Sequence, residues 1–201
     1  MGTATQLRAV SSLTSVSVAD VDLPVADSML VLGVILDRRL TFDNRALAVA
    51  RSCNYHARAI CHTRHLLTLD LAQTFACNLI LSRIAYGNSV LYGARSGTIQ
   101  KLQRVQSNAA RIVLQALRTL HWLPVEQRIN YKLAVLTFKT QQTSYPKYLN
   151  KYISLHTSAR NTRSSSVPLL YVSFRQTSFA RRWFSTTAPL TWNSLPPAVL
   201  I

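Results

Sequence analysis

Residues 98–117 read TIQKLQRVQSNAARIVLQAL, and they decide the fold class. Ile99, Leu102, Val105, Ala109, Ile112, Val113 and Ala116 recur at the i, i+3, i+4, i+7 spacing of one helix face, so the stretch predicts an amphipathic helix from about Thr98 to Leu117. Lys101, Arg104, Asn108, Arg111, Gln115 and Arg118 fall on the opposite face with no acid among them. The apolar face requires a partner surface, and the basic face requires either solvent or a polyanion.

The neighbouring segments carry helical patterns of their own. Upstream, Ala46, Val49, Ala50, Cys53, Ala57, Ile60 and Cys61 repeat the same pattern, which predicts a helix over about 43–65 with Thr41 or Asp43 as its N-cap. Thr68, with Asp70 in the first turn, opens another helix carrying Ala72, Phe75, Ala76 and Leu79 and ending before Gly87. Downstream, Pro124 suits a first helical position and Glu126 the positive N-terminal end, so a further helix runs to about Gln142. Its Ile129, Leu133, Val135, Leu136 and Phe138 spread over a wide arc, and it is expected to be the most buried helix.

At the N-terminus the period is different. Val16 and Val18 alternate with polar residues, Asp20, Asp22, Pro24 and Asp27 offer turn chemistry, and Met29 to Leu36 is a dense apolar run; together they predict a β-hairpin or two paired strands. Beyond Thr143 the composition shifts to Ser, Thr, Pro, Tyr and Arg, with a low-complexity stretch from Thr157 to Ser166 that reads as a linker or arm. Phe179, Trp183, Phe184, Leu190, Trp192 and Leu195 form a final aromatic group expected to fold back onto the helices. The expectation is therefore a mainly α protein: a small hairpin element over 1–40, a helical bundle over 41–142, and an irregular arm with an aromatic cluster over 143–201.

Charge narrows the function. The 201 residues hold 23 Lys+Arg and 7 Asp+Glu, a net charge of +16, while 48% are hydrophobic, which excludes a disordered basic tail. Residues 71–201 carry sixteen basic residues against Glu126 alone, a balance of +15, so few of those cations can find an internal carboxylate. No apolar run is long enough to span a bilayer, and no secretory leader or myristoylation pattern opens the chain, so an intracellular protein of nucleus or cytoplasm is expected, without membrane association. The three cysteines, Cys53, Cys61 and Cys77, are too few for a disulfide framework and are expected as thiols.

The basic residues are arranged in stripes. Arg51, Tyr55, Arg58, His62 and His65 run along one side of the first predicted helix; Lys101, Arg104, Asn108, Arg111 and Arg118 along the third; Arg128, Lys132 and Lys139 along the fourth. Rows of Arg and Lys mixed with amides suit phosphate and sugar contacts, which position a protein on a nucleic-acid backbone without reading sequence. The plain alternative is that each stripe is a solvated helix face. Tyr55 is placed to pack on a sugar or base.

Catalytic groupings are sparse. Cys53, His56, Cys61, His62 and His65 superficially resemble a zinc site, but on one helix they point over too wide an arc and match no standard finger spacing. After Asp70 only Glu126 is acidic, which argues against a polymerase, nuclease or glycosidase centre in these residues.

Several blocks raise a family. Leu32-Gly33-Val34-Ile35-Leu36-Asp37 followed by Leu40-Thr41-Phe42-Asp43 resembles the segment after the catalytic palm in reverse transcriptases of non-LTR retrotransposons. Ser82-Arg83-Ile84-Ala85-Tyr86-Gly87-Asn88-Ser89 is similar to that family's Ser-Arg-Leu/Ile-Asp-Tyr-Gly/Cys-Asn-Ser block, departing from it at Ala85. Lys101 to Arg111 resembles its Lys-Leu-Gln-x-Val-Gln-Asn-x-Ala-Ala-Arg helix, Leu120 to Val125 its Leu-His-Trp-Leu-Pro-Val block, and Trp192 to Pro196 its Trp-Asn-x-Leu-Pro block.

The resemblance implies a thumb and post-thumb region that grips a primer–template duplex, from a parent family of RNA-directed DNA polymerases. The family's catalytic aspartates belong to the palm, upstream of these blocks. No catalysis by this chain alone and no cofactor in it are therefore expected, with Mg²⁺ belonging to the palm. The expected partners are a DNA–RNA hybrid or duplex, bound without sequence preference, and the palm region of a parent polymerase. The expected contact residues are Arg51, Tyr55, Arg58, Lys101, Arg104, Asn108, Arg111, Arg118, Arg128 and Lys132. Two other readings stay open. One is a non-binding relic or structural protein derived from a mobile element. The other is an unrelated small enzyme, which would need an exposed cysteine with a depressed pKa.

Overall fold

The computed structural model describes residues 14–113, 122–157, 169–177 and 180–200. They form a mainly helical protein with two small hairpins at the N-terminal end, divided into two compact units: residues 1–87 with 94–125, and residues 88–93 with 126–201. Arg118, the end of the third predicted helix, most of the low-complexity stretch and Phe179 lie outside the described residues.

The first unit opens with β1 (Ser15–Val18) paired antiparallel to β2 (Val21–Pro24), then β3 (Ser28–Val31) paired to β4 (Val34–Asp37). Both connections are two-residue turns with positive φ at both positions, Ala19–Asp20 and Leu32–Gly33, the type I′ geometry that matches strand twist. This corrects two expectations. Asp22 and Pro24 are strand residues opposite Ser17 and Ser15, and the apolar run Met29 to Leu36 is a hairpin of its own, folded at Gly33. All residues of β1 and β2 are exposed, whereas β4 is half-buried and packs on the first helix.

The passage from β4 into α1 (Asp43–Thr63) is organised by Asp37. Its carboxylate accepts the backbone N–H groups of Arg39, Thr41 and Phe42 at 3.1, 2.9 and 2.7 Å, and the Thr41 hydroxyl at 3.1 Å. Neither Thr41 nor Asp43 occupies the N-cap position. Phe42 stands there at φ 61 with no side-chain cap of its own, while the Asp37 carboxylate takes the N–H groups before the helix and the Thr41 hydroxyl oxygen accepts the first helical N–H, that of Asp43, at 3.4 Å. Asp43 instead accepts a hydrogen bond from the Thr98 hydroxyl.

Along α1 the buried residues Ala46, Ala50, Cys53, Ala57 and Ile60 step by four and three, as the periodicity requires. A 3₁₀ turn (Arg64–Leu66) follows, and then Thr68 caps α2 (Leu69–Ala76) by accepting the Leu71 N–H at 3.3 Å. α2 continues through a π-helical turn (Cys77–Leu81) into α3 (Ser82–Ala85). The buried set is Ala72, Ala76, Ile80, Leu81 and Ile84, with Ala72, Ala76, Ile80 and Ile84 spaced by four, so Ile80 takes the core position expected for Leu79, and Phe75 stands exposed. A 3.6-residue helix would rotate such a set off the core, and the wider π turn absorbs the drift.

α4 (Ser96–Val113) packs against α1, burying Thr98, Leu102, Val105, Gln106, Ala109, Ala110 and Val113. Two of its amides fix the chain that follows: Gln106 Nε2 donates to Leu123 O and Gln103 Oε1 accepts the Val125 N–H, both at 2.9 Å. That second bond satisfies the first N–H of α5 (Val125–Thr143), whose opening turn holds Glu126. α5 is not the most buried helix. Val125, Ile129, Leu133, Thr137 and Thr140 are covered, but Tyr131 and Phe138 stay exposed at 64% and 50%.

Within the second unit, the described residues beyond Thr143 are more regular than the arm expected from their composition. They form α6 (Lys147–Asn150), an antiparallel bridge between Leu155 and Leu170, and α7 (Phe184–Asn193), with 3₁₀ turns at Ala180–Arg182 and Pro197–Val199; the same unit holds a 3₁₀ turn at Asn88–Leu91. α7 is the most thoroughly covered helix, with Ser185, Thr186, Thr187, Ala188, Pro189, Thr191 and Trp192 all buried. The expected aromatic cluster is absent among the described residues. Of that group Trp192 is buried in a core with Leu170 and Leu200, and Leu195 packs against it beside Ile153 and Leu169, while Trp183 and Leu190 remain exposed. Phe138 stacks on Trp192 at 6.4 Å between ring centroids. Asn193 pins the bridge strand by accepting the Leu170 N–H and donating to Leu170 O, both at 2.9 Å. Gly93, at φ +66, leaves room for Arg182, whose Cγ would lie 3.1 Å from a Cβ there; Arg182 Nε donates to Tyr92 O.

Candidate nucleic-acid interface

α1 and α4 pack against each other, and their buried faces carry small residues, Ala46, Ala50 and Ala57 on one and Ala109 and Ala110 on the other. Their polar faces therefore meet at one edge of the seam. An open groove of about 490 Å³ runs there, lined by Asn54, Ala57, Arg58 and Cys61 from α1 and by Asn108, Arg111 and Ile112 from α4. Two guanidinium groups and two amides face this groove, and no carboxylate lines it.

The arrangement follows from helix geometry. Asn54, Arg58 and Cys61 stand at i, i+4 and i+7, and Asn108 and Arg111 at i and i+3, so each trio or pair shares a face. Arg111 Nη2 donates to Asn108 Oδ1 at 2.7 Å and its Nε to Ser107 O at 3.4 Å, which fixes the guanidinium on the surface with its remaining N–H groups available. The C-terminal end of α4 is held by Arg64, which donates from Nε and Nη2 to Val113 O at 3.3 and 3.2 Å and from Nη1 to Leu67 O at 2.9 Å. Arg64 is thus a helix-capping residue that charge patterning alone did not single out.

Of the ten expected contact residues, the groove brings together Arg58, Asn108 and Arg111. Arg51, Tyr55, Lys101 and Arg104 are exposed on the same two helices but do not line it. Tyr55 makes an edge contact with His56 at 5.3 Å between centroids. Lys132 is exposed and Arg128 half-buried on α5, in the second unit apart from Val125. Asn54 and Cys61 were missed. Asn54 had no periodic signal beyond being four residues before Arg58, and Cys61 fitted the apolar repeat although it is exposed.

The cysteines differ in environment. Cys53 is fully buried, its thiol donates to Ile80 O at 3.7 Å, and burial pushes its pKa up to about 11, only partly opposed by Arg83. That is opposite to what a nucleophilic thiol requires. Cys53, His56, Cys61, His62 and His65 do not converge: among the described residues no group of three or more His, Cys, Asp or Glu is placed to hold a metal ion. No helix of the described residues is long and apolar enough to cross a membrane.

Comparison of the chain with protein-family models, with curated proteins and with solved structures returned no match.

Proposed function

We propose that the chain is a nucleic-acid-binding module that holds a DNA–RNA hybrid or duplex by its phosphates, with the α1/α4 groove as the central contact. The observation that carries this reading is the convergence of Arg58, Asn108 and Arg111 on one groove with no lining carboxylate, in a chain of net charge +16. An arginine fork binds phosphate oxygens bidentately, and an adjacent amide donates to phosphate or sugar. Arg51, Lys101 and Arg104, exposed on the flanking turns, extend the positive surface along both helices.

The sequence blocks support the parentage: a thumb-like bundle from a non-LTR retrotransposon reverse transcriptase, acting inside the cell in nucleus or cytoplasm and binding rather than polymerising on its own. The test is fluorescence anisotropy with a labelled hybrid over a salt series. Five cationic contacts, Arg51, Arg58, Lys101, Arg104 and Arg111, give a slope of log affinity on log salt of about −4.5, or a roughly 500-fold loss between 50 and 200 mM, and little dependence on sequence. A flat response, or no binding at low salt, contradicts the reading.

A further inference from the structure

The second unit carries a different surface, which the groove does not use. α6 and its flanks are anchored from one side: Ile153 packs against the core of Leu170, Trp192 and Leu200, and Leu149 is half-buried. The opposite side presents three tyrosines within eight residues, Tyr145, Tyr148 and Tyr152, with exposures of 71%, 64% and 48%. Tyr148 lies in α6 and Tyr152 four residues on, where the Lys151 and Tyr152 N–H groups bond back to Lys147 O and Leu149 O, so these two rings share a side of the turn; Tyr145 precedes it, before the extended Pro146.

Lys147 and Lys151, four residues apart and both exposed, alternate with the rings. Lys151 Nζ lies 5.0 Å from the Tyr152 ring centroid, so ammonium and ring already share one surface. The platform is held in place. Tyr145 N–H donates to the Thr143 hydroxyl at 3.2 Å, which itself donates to Lys139 O at 2.7 Å, and Leu149, Tyr152 and Ile153 N–H groups bond back along the turn at 2.9 to 3.0 Å.

Three exposed aromatic rings on an anchored backbone fit planar apolar ligands, and interleaved ammonium groups add a demand for anions. No acid occurs between residues 127 and 201 to meet that demand within the chain. We propose that Tyr145, Tyr148 and Tyr152, with Lys147 and Lys151, form a platform for single-stranded nucleic acid, the rings stacking unpaired bases and the lysines contacting the phosphates between them. A duplex would not suit this surface, because its bases hide their faces in the stack; a single strand exposes them, and stacking tolerates any base. The site is separate from the duplex reading of the groove and stands or falls independently of it.

The test uses the full chain and a labelled oligo-uridine of about 12 nucleotides, a length within the usual site sizes. The triple variant Tyr145→Ala/Tyr148→Ala/Tyr152→Ala is expected to weaken oligo-uridine binding by about tenfold or more, with circular dichroism unchanged because the removed rings lie outside the core. The corresponding phenylalanine variant keeps the rings and is expected to bind as the natural chain does. Lys147→Gln/Lys151→Gln is expected to reduce the salt slope by about 1.4. Hybrid affinity should be unmoved by the tyrosine changes. If oligo-uridine binding survives while the hybrid does not bind, the platform stands and the groove reading fails. The proposal is overturned if the natural chain binds no oligo-uridine at low salt, if the alanine variant binds it normally, if phenylalanine loses as much as alanine, or if poly-glutamate displaces it equally well, which would mark an acidic protein as the occupant.

Discussion

Arg45 is a cation only 4% exposed at the start of α1, and replacing it separates two contributions that a charge count conflates. Its Nη2 donates to Tyr86 O, at the C-terminal end of α3, while its Nε has no partner, and burial pulls its pKa down from the ordinary value with Tyr86 opposing. Arg45→Met keeps a stem of similar length. It strands the Tyr86 carbonyl, at a cost of about 1–3 kcal/mol, but relieves the desolvation of the guanidinium, which is of several kcal/mol. The two nearly cancel, and Arg45→Met is expected within about 1 kcal/mol of the natural chain. Arg45→Ala also removes the packed stem and leaves a cavity, so it should fall about 2–4 kcal/mol below Arg45→Met. Urea unfolding followed by far-ultraviolet circular dichroism reads both differences. A loss above about 3 kcal/mol for Arg45→Met would refute the reasoning, because the buried ion would then be net stabilising. Equal stability of the two variants would refute it too, since the stem would not be packed.

Other perturbations test separate parts of the structure. Burial raises the pKa of Asp37, but hydrogen bonds from Thr41, Phe42 and Arg39 outweigh it and hold the carboxyl below its ordinary value. Its contribution is therefore complete above the unfolded pKa of about 3.9 and is lost as pH falls through the lower folded value. Asp37→Asn should cost about 1 kcal/mol at pH 7, and the gap to the natural chain should close in acid unfolding curves. Cys61 is exposed and Cys53 buried, so a thiol reagent should label Cys61 in the native protein and Cys53 only in denaturant; mass spectrometry of the labelled peptides checks the order. Asn193→Asp keeps an acceptor for the Leu170 N–H but loses the donor to Leu170 O and sets a carboxylate against it, so thermal unfolding should show a loss of about 2 kcal/mol, more than for a substitution at exposed Asn78.

The sequence was legible where the 3.6-residue period was strong. α1, α4 and α5 fall within a few residues of their expected bounds over the described span, because their apolar sets repeat without interruption. α7 was not legible: Phe184 to Asn193 is rich in Ser and Thr and contains Pro189, all poor helix formers, and burial of seven of its residues holds it helical instead. The phase shift at Cys77–Leu81 was hidden for a related reason, since Ile80 and Leu79 are equally apolar and only the π turn selects one for the core. At the candidate site, helical spacing placed Asn108 and Arg111 on one face. Nothing in one dimension said that α1 and α4 would be neighbours, and so nothing joined Arg58 to that pair. The glutamines of the Lys101 to Arg111 block were also opaque: Gln103 and Gln106 pair with the backbone around Leu123 and Val125, a role that needs the tertiary fold to be visible.

The central claim is that Arg58 and Arg111 contact phosphates in the α1/α4 groove. The most direct measurement is the salt dependence of hybrid binding for Arg58→Gln/Arg111→Gln beside Arg39→Gln/Arg95→Gln, an equal charge change at exposed residues that do not line the groove. Each lost phosphate contact removes about 0.9 from the slope, so the groove variant should fall from about −4.5 to about −2.7 while the second variant keeps the natural slope. Equal slopes for the two variants would contradict the account.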